Sequence, residues 1–479
     1  RPCQPTSSCP SLALPHIYRQ PMNALLDAVH AAGSSLLSPD ALGRFVRGID
    51  VSTLDLDRWR GMEAPKGGYV RDVLTTDPLE VVVLVWPPGG ASAIHHHQGF
   101  FGHVLVVEGL LENVEFRLKD GVLTDTLHAV FGPGGVAYEP DGMHHLIRNA
   151  DPDRTLITVH FYSPPISDLT GLKILDPATG TIAVLNEKAK SASFKEPREH
   201  FSEVQEGVFR YLPFEKKPGA PSHHIHPIVP KPSPERILEL IMGYYDEQAH
   251  VYDRFDLEHP TRKPYTEKIN ELVAEAYAAR PELERVLALA CGTGRRAWSI
   301  RKGLGRQYGI TGVDISGAMA DIANERGIDA INAPFLEAEV PEEAYDACTI
   351  LYAFGHVPHS GLRKQWLRKV HRSLKPGGLL LFDVFNLNDR HEWGPSALKA
   401  YERLSLGDQG YERGDVFYQR TGGKETAFLH YFEEPELRDL LAECGFRVER
   451  LLHVGYTHRS GQLLQEPDAG AFFVQAVKE

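Results

Sequence analysis

The hydrophobic pattern of the chain changes once, and that change constrains the fold more than any single residue. From Tyr69 onward, VRDVLTTD, LEVVVLVWPP, HVLVVEGLLENVEFRL, LHAVFGPGGVAYEP, HHLIRNA and RTLITVHFYS are short alternating or β-branched runs. They are broken by PPGG, KDG, GPGG, EPDG and DPD turns. Many short strands with Gly/Pro turns and no helix between them predict a β-sandwich or barrel. Ahead of them, MNALLDAVHAAG and SPDALGRFVRGID carry helical spacing, with Ser38 or Asp40 placed as an N-cap. GLKILDPATGTIAVLNE reads as one further hairpin. After Glu235 helical patterns alternate with the strands RVLALACGTG, YGITGVDIS, YDACTILYAF and GGLLLFDVFN, which predicts a parallel sheet flanked by helices. The proline-dense stretch ending in KKPGAPSHHIHPIVPKPSP reads as a linker, with His223, His224 and His226 in a solvated loop in preference to a metal site. The expected layout is therefore a β domain over 1–195, a linker over 196–233 and an α/β domain over 234–479.

A length of 479 residues is too great for one ordinary core and fits two domains. With 51 basic and 64 acidic residues the net charge is -13, which argues against phosphate-backbone binding as the main task, so no nucleic-acid partner is expected. No run of about 18 apolar residues exists, so no membrane span is expected either. The five cysteines (Cys3, Cys9, Cys291, Cys348 and Cys444) are scattered, without a CxxC pair. That spacing suits a reducing, cytoplasmic compartment better than a disulfide framework or a zinc cage. Residues 1–15 lack the apolar core of a signal peptide and read as a ragged terminus. Oligomeric state is left open.

Within the first domain, His95 and His97 sit two apart in a strand context, so both side chains face the same way. His96 and, later, His144 should face the other way. In GGVAYEPDGMHHLIRN, Gly134, Pro140 and Gly142 shape a tight hairpin that delivers His145, with Asn149 closing the segment. Gly89, with five residues between it and His95-x-His97, and the succession Gly134, Pro140, Gly142, His145, Asn149 resemble the two cupin signatures. The glutamate that many metal cupins add after the paired histidines is missing, since those positions are Phe101 and Gly102. A neutral three-histidine face leaves about three open positions on an octahedral iron, enough for a two-atom chelate and O2. Three histidines also suit a zinc hydrolase, which would need a nearby base that the sequence does not identify.

Residues from about Met22 to Phe194 resemble the cysteine dioxygenase family. The segment Thr158-Val159-His160-Phe161-Tyr162-Ser163-Pro164-Pro165 is similar to the family's Ser-x-His-x-Tyr-Ser-Pro-Pro ending. The resemblance implies a relay of Thr158, His160 and Tyr162, an Fe(II) ion held by His95, His97 and His145, and O2 as co-substrate. It also implies substrate contacts from Arg71, which pairs with the substrate carboxylate, and from Tyr69. Relatives acting on mercaptopropionate have glutamine in place of Arg71, so the reading leans toward cysteine. The implied reaction chelates a small thiol through sulfur and amine and oxidises it to a sulfinate. Gly102 stands where the animal enzymes carry the cysteine of a Cys–Tyr crosslink, so Tyr162 cannot be crosslinked here. Thr158 replaces the family's serine but keeps the hydroxyl.

RVLALACGTGRRAWSI reads as strand, turn and helix, with Gly292 and Gly294 allowing close backbone approach to a ligand. Asp314, about 20 residues on at the end of the next strand, can accept hydrogen bonds from both ribose hydroxyls. Residues 235–479 resemble class I S-adenosylmethionine-dependent methyltransferases through LKPGG, a late helix ending in CGF and YYDEQAHVYD as a lid helix. The resemblance implies a Rossmann-like, mostly parallel seven-stranded sheet and a cofactor site of Leu289, Ala290, Cys291, Gly292, Gly294, Asp314, Ile315 and Met319. Ala288 replaces the family's acidic residue in the first strand, Ala290 its first turn glycine, and Pro334 the acidic residue that meets the adenine amine. His356, His359, Tyr245 and Tyr252 fall near the methyl acceptor by analogy. Two functional readings follow. One is a bifunctional enzyme that oxidises and methylates a sulfur metabolite. The other is a sensing cupin with a methyltransferase-like scaffold, or a chain in which one domain alone is active.

Overall fold

The computed structural model describes residues 22–65, 67–166, 168–213, 223–420 and 426–479. Two compact units divide the chain. The first holds the residues up to Leu123 and Phe131–Tyr211, and the second holds Thr124–Val130 and Leu212–Glu479.

The first unit opens with helices Met22–Ala32 and Pro39–Arg47, the second capped by Ser38, whose Oγ accepts from the Ala41 N–H at 3.4 Å. One sheet runs in the order Val70–Thr75, Glu80–Trp86, Leu156–Ser163, Phe101–Glu108, Val136–Glu139. Strand periodicity gives each side of this sheet its own job. Val81, Val83, Val85, Leu105, Ile157, Val159 and Phe161 pack with Leu25, Val29, Leu42 and Val46 of the helices. The alternate residues, among them Glu80, Thr158, His160 and Tyr162, occupy the opposite face. A second sheet places Lys173–Asp176, Ile94–His96, His144–Asn149 and Leu111–Lys119 side by side. Its pairing sets His95 opposite His145 and His96 opposite His144.

The expected linker is shorter than its proline content suggested. Phe201–Gln205 is a strand paired antiparallel with Thr181–Leu185, so the first unit continues past residue 195. His223–Ile225, expected in a loop, is a strand paired with residues 418–420 of the second unit. His226 is buried, its N–H donating to the Phe417 carbonyl at 2.7 Å. Short strands that find partners far away in sequence leave little periodicity to read, and prolines dominated the pattern there. Residues 214–222 of that stretch, and Cys3 and Cys9, lie outside the described residues.

In the second unit the main sheet has the order Asp329–Asn332, Gly309–Asp314, Arg285–Leu289, Tyr345–Ile350, Leu374–Val384, Ala471–Lys478, Phe446–Val454, Leu463–Leu464. The first four pairings are parallel and the last three antiparallel. The count is eight where seven were expected, and the extra member is the two-residue edge strand Leu463–Leu464. Helix Pro234–Gln248, capped by Ser233, precedes the sheet, and Tyr252–Glu258 follows as a separate helix. Among the described residues no helix is long and apolar enough to cross a membrane, and Cys291, Cys348 and Cys444 are free.

Candidate active sites

In the first unit three imidazoles converge. His145 Nε2 lies 3.0 Å from His95 Nε2 and 3.1 Å from His97 Nε2. Hydrogen bonds at the far side of two rings fix which nitrogen is bare. His95 Nδ1 meets the Ala93 carbonyl at 3.0 Å and His145 Nδ1 meets Asn113 Oδ1 at 2.9 Å. Both partners can only accept, so each Nδ1 carries the proton and each Nε2 offers its lone pair to the common centre. Burial holds His95 neutral, its pKa lowered to about 4. Neutral, pre-aimed imidazoles are what a divalent metal needs from histidine. Donors about 3 Å apart suit neighbouring positions around an ion with metal–nitrogen bonds of about 2.1 Å. The residues present therefore fit the implied iron. His96 and His144 pair with each other instead, ring centroids 4.8 Å apart.

The proposed relay is continuous, with a fixed donor at its far end. Trp86 Nε1 donates to Thr158 Oγ1 at 3.0 Å, Thr158 Oγ1 lies 2.9 Å from His160 Nε2, and His160 Nδ1 lies 2.8 Å from the Tyr162 hydroxyl. An indole N–H can only donate. Thr158 therefore accepts from Trp86, which leaves its own proton available to His160 Nε2. Burial lowers the His160 pKa to about 3, with the Arg71 charge adding to the effect, so the ring is neutral, and when Nε2 takes the Thr158 proton its one proton sits on Nδ1. Tyr162 oxygen accepts that proton's hydrogen bond, and its own O–H is left for the cavity. Burial first, then the Glu139 and Glu80 carboxylates, keep the phenol protonated by pushing its pKa well up.

His160 and Tyr162 line one cavity of about 540 Å³, together with Tyr69, Arg71, Trp86, His95, His97, Phe100 and a wall of residues 164–166 and 168–172. Tyr69 lines this cavity and is braced in place: its hydroxyl accepts from the Ala192 N–H at 2.8 Å and its ring packs on Trp86 at 4.3 Å between centroids. Arg71 reaches the cavity but is already ion-paired with buried Glu80. Strand register explains the layout. Glu80 faces Tyr162, Tyr162 faces Gly102, and Gly102 faces Glu139, so two carboxylates flank the tyrosine in one row across four strands. Gly102 is required by space, since a Cβ there would stand 2.6 Å from the Tyr162 ring and 3.2 Å from Glu139 Oε2. The carboxylate missing after the histidine pair is thus matched by one from a neighbouring strand. Glu139 Oε2 lies 3.6 Å from His97 Nε2.

In the second unit a cavity of about 300 Å³ is lined by Ala290, Gly292, Asp314, Ile315, Met319 and Pro334 on one side. Tyr245, Tyr252, Tyr352 and His356 line it on the other. Ala290 takes the left-handed conformation (φ +46°) that the family's glycine adopts freely, at a cost of about 1 kcal/mol, so the turn survives the substitution. Asp314 accepts from the Gly292 N–H at 2.7 Å and the Ser316 N–H at 3.0 Å, which aims its carboxylate at the cavity. Gly292 has open space where a Cβ would stand, so a ligand can lie against its backbone. This is a fit for the implied cofactor. Three expected contacts sit elsewhere: Leu289 is in the core, Cys291 packs under Gly312, and Gly294 packs against Ile328 and Ala323. Ala288 is likewise a core residue.

On the acceptor side, Tyr245 hydroxyl lies 2.8 Å from His356 Nε2, and His356 Nδ1 lies 2.5 Å from the Phe428 carbonyl. The carbonyl takes the ring proton, so Tyr245 donates to His356. Tyr252 hydroxyl receives Arg262 at 2.6 Å. His359 does not line the cavity: it caps the helix Ser360–Ser373, its Nδ1 accepting from Gly361 N–H at 3.0 Å. Glu412, Asp415 and His430 also converge. There Arg363 pairs with Glu412, Lys231 with Asp415 at 2.6 Å, and His430 with Asp415 at 2.8 Å, so the cluster is a buried ion-pair network.

Comparison with known proteins agrees with both geometries. Residues 66–172 match the family model of cysteine dioxygenase type I, and residues 258–451 match that of a methyltransferase domain. The chain carries a cysteine dioxygenase type I domain and a methyltransferase domain. The second is similar to the malonyl-[acyl-carrier protein] O-methyltransferase of Halalkalibacterium halodurans, 26% identical over 45% of this chain and 79% of that protein. It is also similar to a ubiquinone/menaquinone biosynthesis C-methyltransferase of Brucella anthropi, 40% identical over 20% of this chain and 38% of that protein. Among solved structures, a SAM-dependent methyltransferase from Methanosarcina mazei is 19% identical over 43% of this chain and 96% of that one, with a TM-score of 0.36.

Several residues of the dioxygenase-type domain escaped sequence reasoning. Asn113 orients a triad histidine, Trp86 donates to the far end of the relay, and Glu80 and Glu139 flank Tyr162. Trp86 had a usable signal, because it shares a strand face with Leu84 in a run otherwise aliphatic. In the methyltransferase domain, Asp246 and its 2.5 Å contact with Ser316 Oγ place a second carboxylate near Asp314.

Proposed function

We propose that the chain is a bifunctional enzyme. Its first domain uses Fe(II) and O2 to oxidise a small amino-acid thiol of the cysteine type to a sulfinate, and its second methylates a related sulfur metabolite from S-adenosylmethionine. The observation that carries the first half is the meeting of the His95, His97 and His145 imidazoles with the Tyr162 hydroxyl beside one cavity. A cupin that only binds a ligand has no use for a four-membered relay ending beside its metal site.

His95, His97 and His145 would hold the iron, which supplies a seat for the thiolate and activation of O2. The protein's own residues do the rest. Arg71 offers its remaining N–H groups to the substrate's head, since Glu80 engages one edge of the guanidinium. Tyr162 presents a hydroxyl proton to the reacting sulfur and oxygen, held in direction by His160 Nδ1–H. Phe100 and the wall of residues 164–166 and 168–172 border the space the substrate would occupy.

The Trp86–Thr158 hydrogen bond has a direct consequence. Trp86→Phe removes the donor at the end of the relay and frees Thr158 to reorient. One buried hydrogen bond is worth about 1.5 kcal/mol, so kcat should fall about tenfold with little change in thiol KM. Stopped-flow or electrode rates with the iron content matched to the unaltered chain check this.

In the methyltransferase domain, Gly292, Asp314, Ile315 and Met319 would hold S-adenosylmethionine, which supplies an activated methyl group. Methyl transfer rests mostly on holding the acceptor in line, and Tyr245 and His356 border the space where it would lie. Support for a shared pathway is the fusion itself. The test is to offer cysteine, cysteamine, mercaptopropionate and thiolated histidines, and their oxidised products, with methyl-labelled cofactor. Label in one of them supports the coupling; cofactor binding without label in any contradicts it.

A further inference from the structure

Arg71 does not stand in the thiol cavity as a bare cation. It leaves the strand Val70–Thr75 opposite Leu84, two rows away from Glu80, and its side chain runs along the inner face of the sheet to that carboxylate. Glu80 has 0% of its side chain exposed, against 24% for Arg71. Its second oxygen accepts from the Ile166 N–H at 2.9 Å, so one buried carboxylate fixes both the guanidinium and the cavity wall that follows Tyr162. Burial pushes the Glu80 carboxyl up, while the Arg71 charge and the Ile166 N–H pull it back. Glu80 also lies directly opposite Tyr162 in the sheet, so the pair ends beside the relay.

A substrate carboxylate approaching Arg71 therefore meets a neutral pair with an anion behind it. In a buried site, opposite and like charges at such range largely cancel. The cavity, about 540 Å³, is also of a size that encloses ligands larger than a free amino acid of seven heavy atoms. We propose that Glu80 is a specificity-determining residue: by neutralising Arg71 it removes the thiol site's demand for a free carboxylate, so that aminothiols whose carboxyl group is absent or masked are accepted alongside cysteine. Glu80 acts here through Arg71 and through Ile166, as a positioning residue. The inference rests on the dioxygenase reading above.

The test compares kcat/KM for cysteine and cysteamine, using oxygen uptake by the full chain loaded with Fe(II). In the unaltered chain the two values should lie within about tenfold of each other. Glu80→Gln keeps the acceptor for Ile166 N–H but leaves Arg71 charged, so the cysteine-to-cysteamine ratio should rise about tenfold, mainly through a lower KM for cysteine. A purely structural role for Glu80 would lower both substrates together and leave the ratio still. The double variant Arg71→Gln, Glu80→Gln replaces one neutral pair with another and covers the case in which the single variant does not fold. Its ratio should stay within about fivefold of the unaltered chain. A larger initial preference for cysteine, an unmoved or falling ratio in Glu80→Gln, or a collapse of the ratio in the double variant overturns the proposal. Oxygen uptake by the unaltered chain with those results sinks this inference alone; no uptake with any thiol sinks the dioxygenase reading and the inference with it.

Discussion

His95→Ala should reduce bound iron from about one per chain to below about a tenth, and thiol-dependent oxygen uptake by about a thousandfold or more. The size of the effect follows from the loss of one of the three converging nitrogens. Among the described residues the triad supplies three nitrogens, two of them aimed by dedicated acceptors, the Ala93 carbonyl and Asn113. Two imidazoles cannot keep a divalent ion against water as three do, and the Ala93 carbonyl would be left without its donor. His96→Ala is the matched control. His96 is one residue away but belongs to the opposite strand face, against His144, so iron content should be kept. Metal analysis after desalting and electrode rates read both variants. Binding of S-adenosylhomocysteine should be unchanged in each, because the cofactor cavity is built from a separate set of strands and helices.

Asp314→Asn should weaken S-adenosylhomocysteine binding about a hundredfold, close to 2.7 kcal/mol. The carboxylate is aimed by the Gly292 and Ser316 N–H groups, and its remaining lone pairs face the cavity where ribose hydroxyls would donate. Asparagine offers one acceptor oxygen and replaces the other with a donor, which meets either a backbone N–H or the ribose wrongly. A pH signature accompanies the loss. Burial raises the Asp314 pKa to about 6, with the neighbouring Asp246 charge adding to it and the two backbone N–H groups opposing it. The ionised form is the one that accepts from both hydroxyls, so affinity should be full above pH 6 and fall as pH drops through that value. In the variant the step should vanish. Calorimetric titration between about pH 5 and 8 measures both effects.

Much of this was legible in the chain itself, for reasons that are local. Two histidines spaced by one residue share a strand face whatever the tertiary fold, and Pro140 and Gly142 mark the turn that delivers the third. The alternation of Thr158, His160 and Tyr162 likewise predicts a chain of groups on one side of a strand. What was not legible depends on register between strands distant in sequence. Glu80, Tyr162, Gly102 and Glu139 become one row only when four strands pair, and nothing near Arg71 in sequence announces that its guanidinium is already engaged. The same holds for the segment 201–205, whose strand character comes from its partner Thr181–Leu185. In the methyltransferase domain, Ala290 stands where the family carries the first turn glycine. The backbone shows an alanine held at positive φ, a modest strain that the surrounding strand and helix impose.

The central claim is that the first domain inserts oxygen into a substrate thiol at the His95–His97–His145 site. Turnover of the Fe(II)-loaded chain with the thiol panel under 18O-labelled dioxygen tests it most directly, with mass analysis of the product. The account predicts a sulfinate in which both new oxygen atoms carry label, formed one per O2 consumed and lost in His95→Ala. Oxygen consumption that yields only disulfide, or a sulfinate whose oxygens come from water, would contradict it.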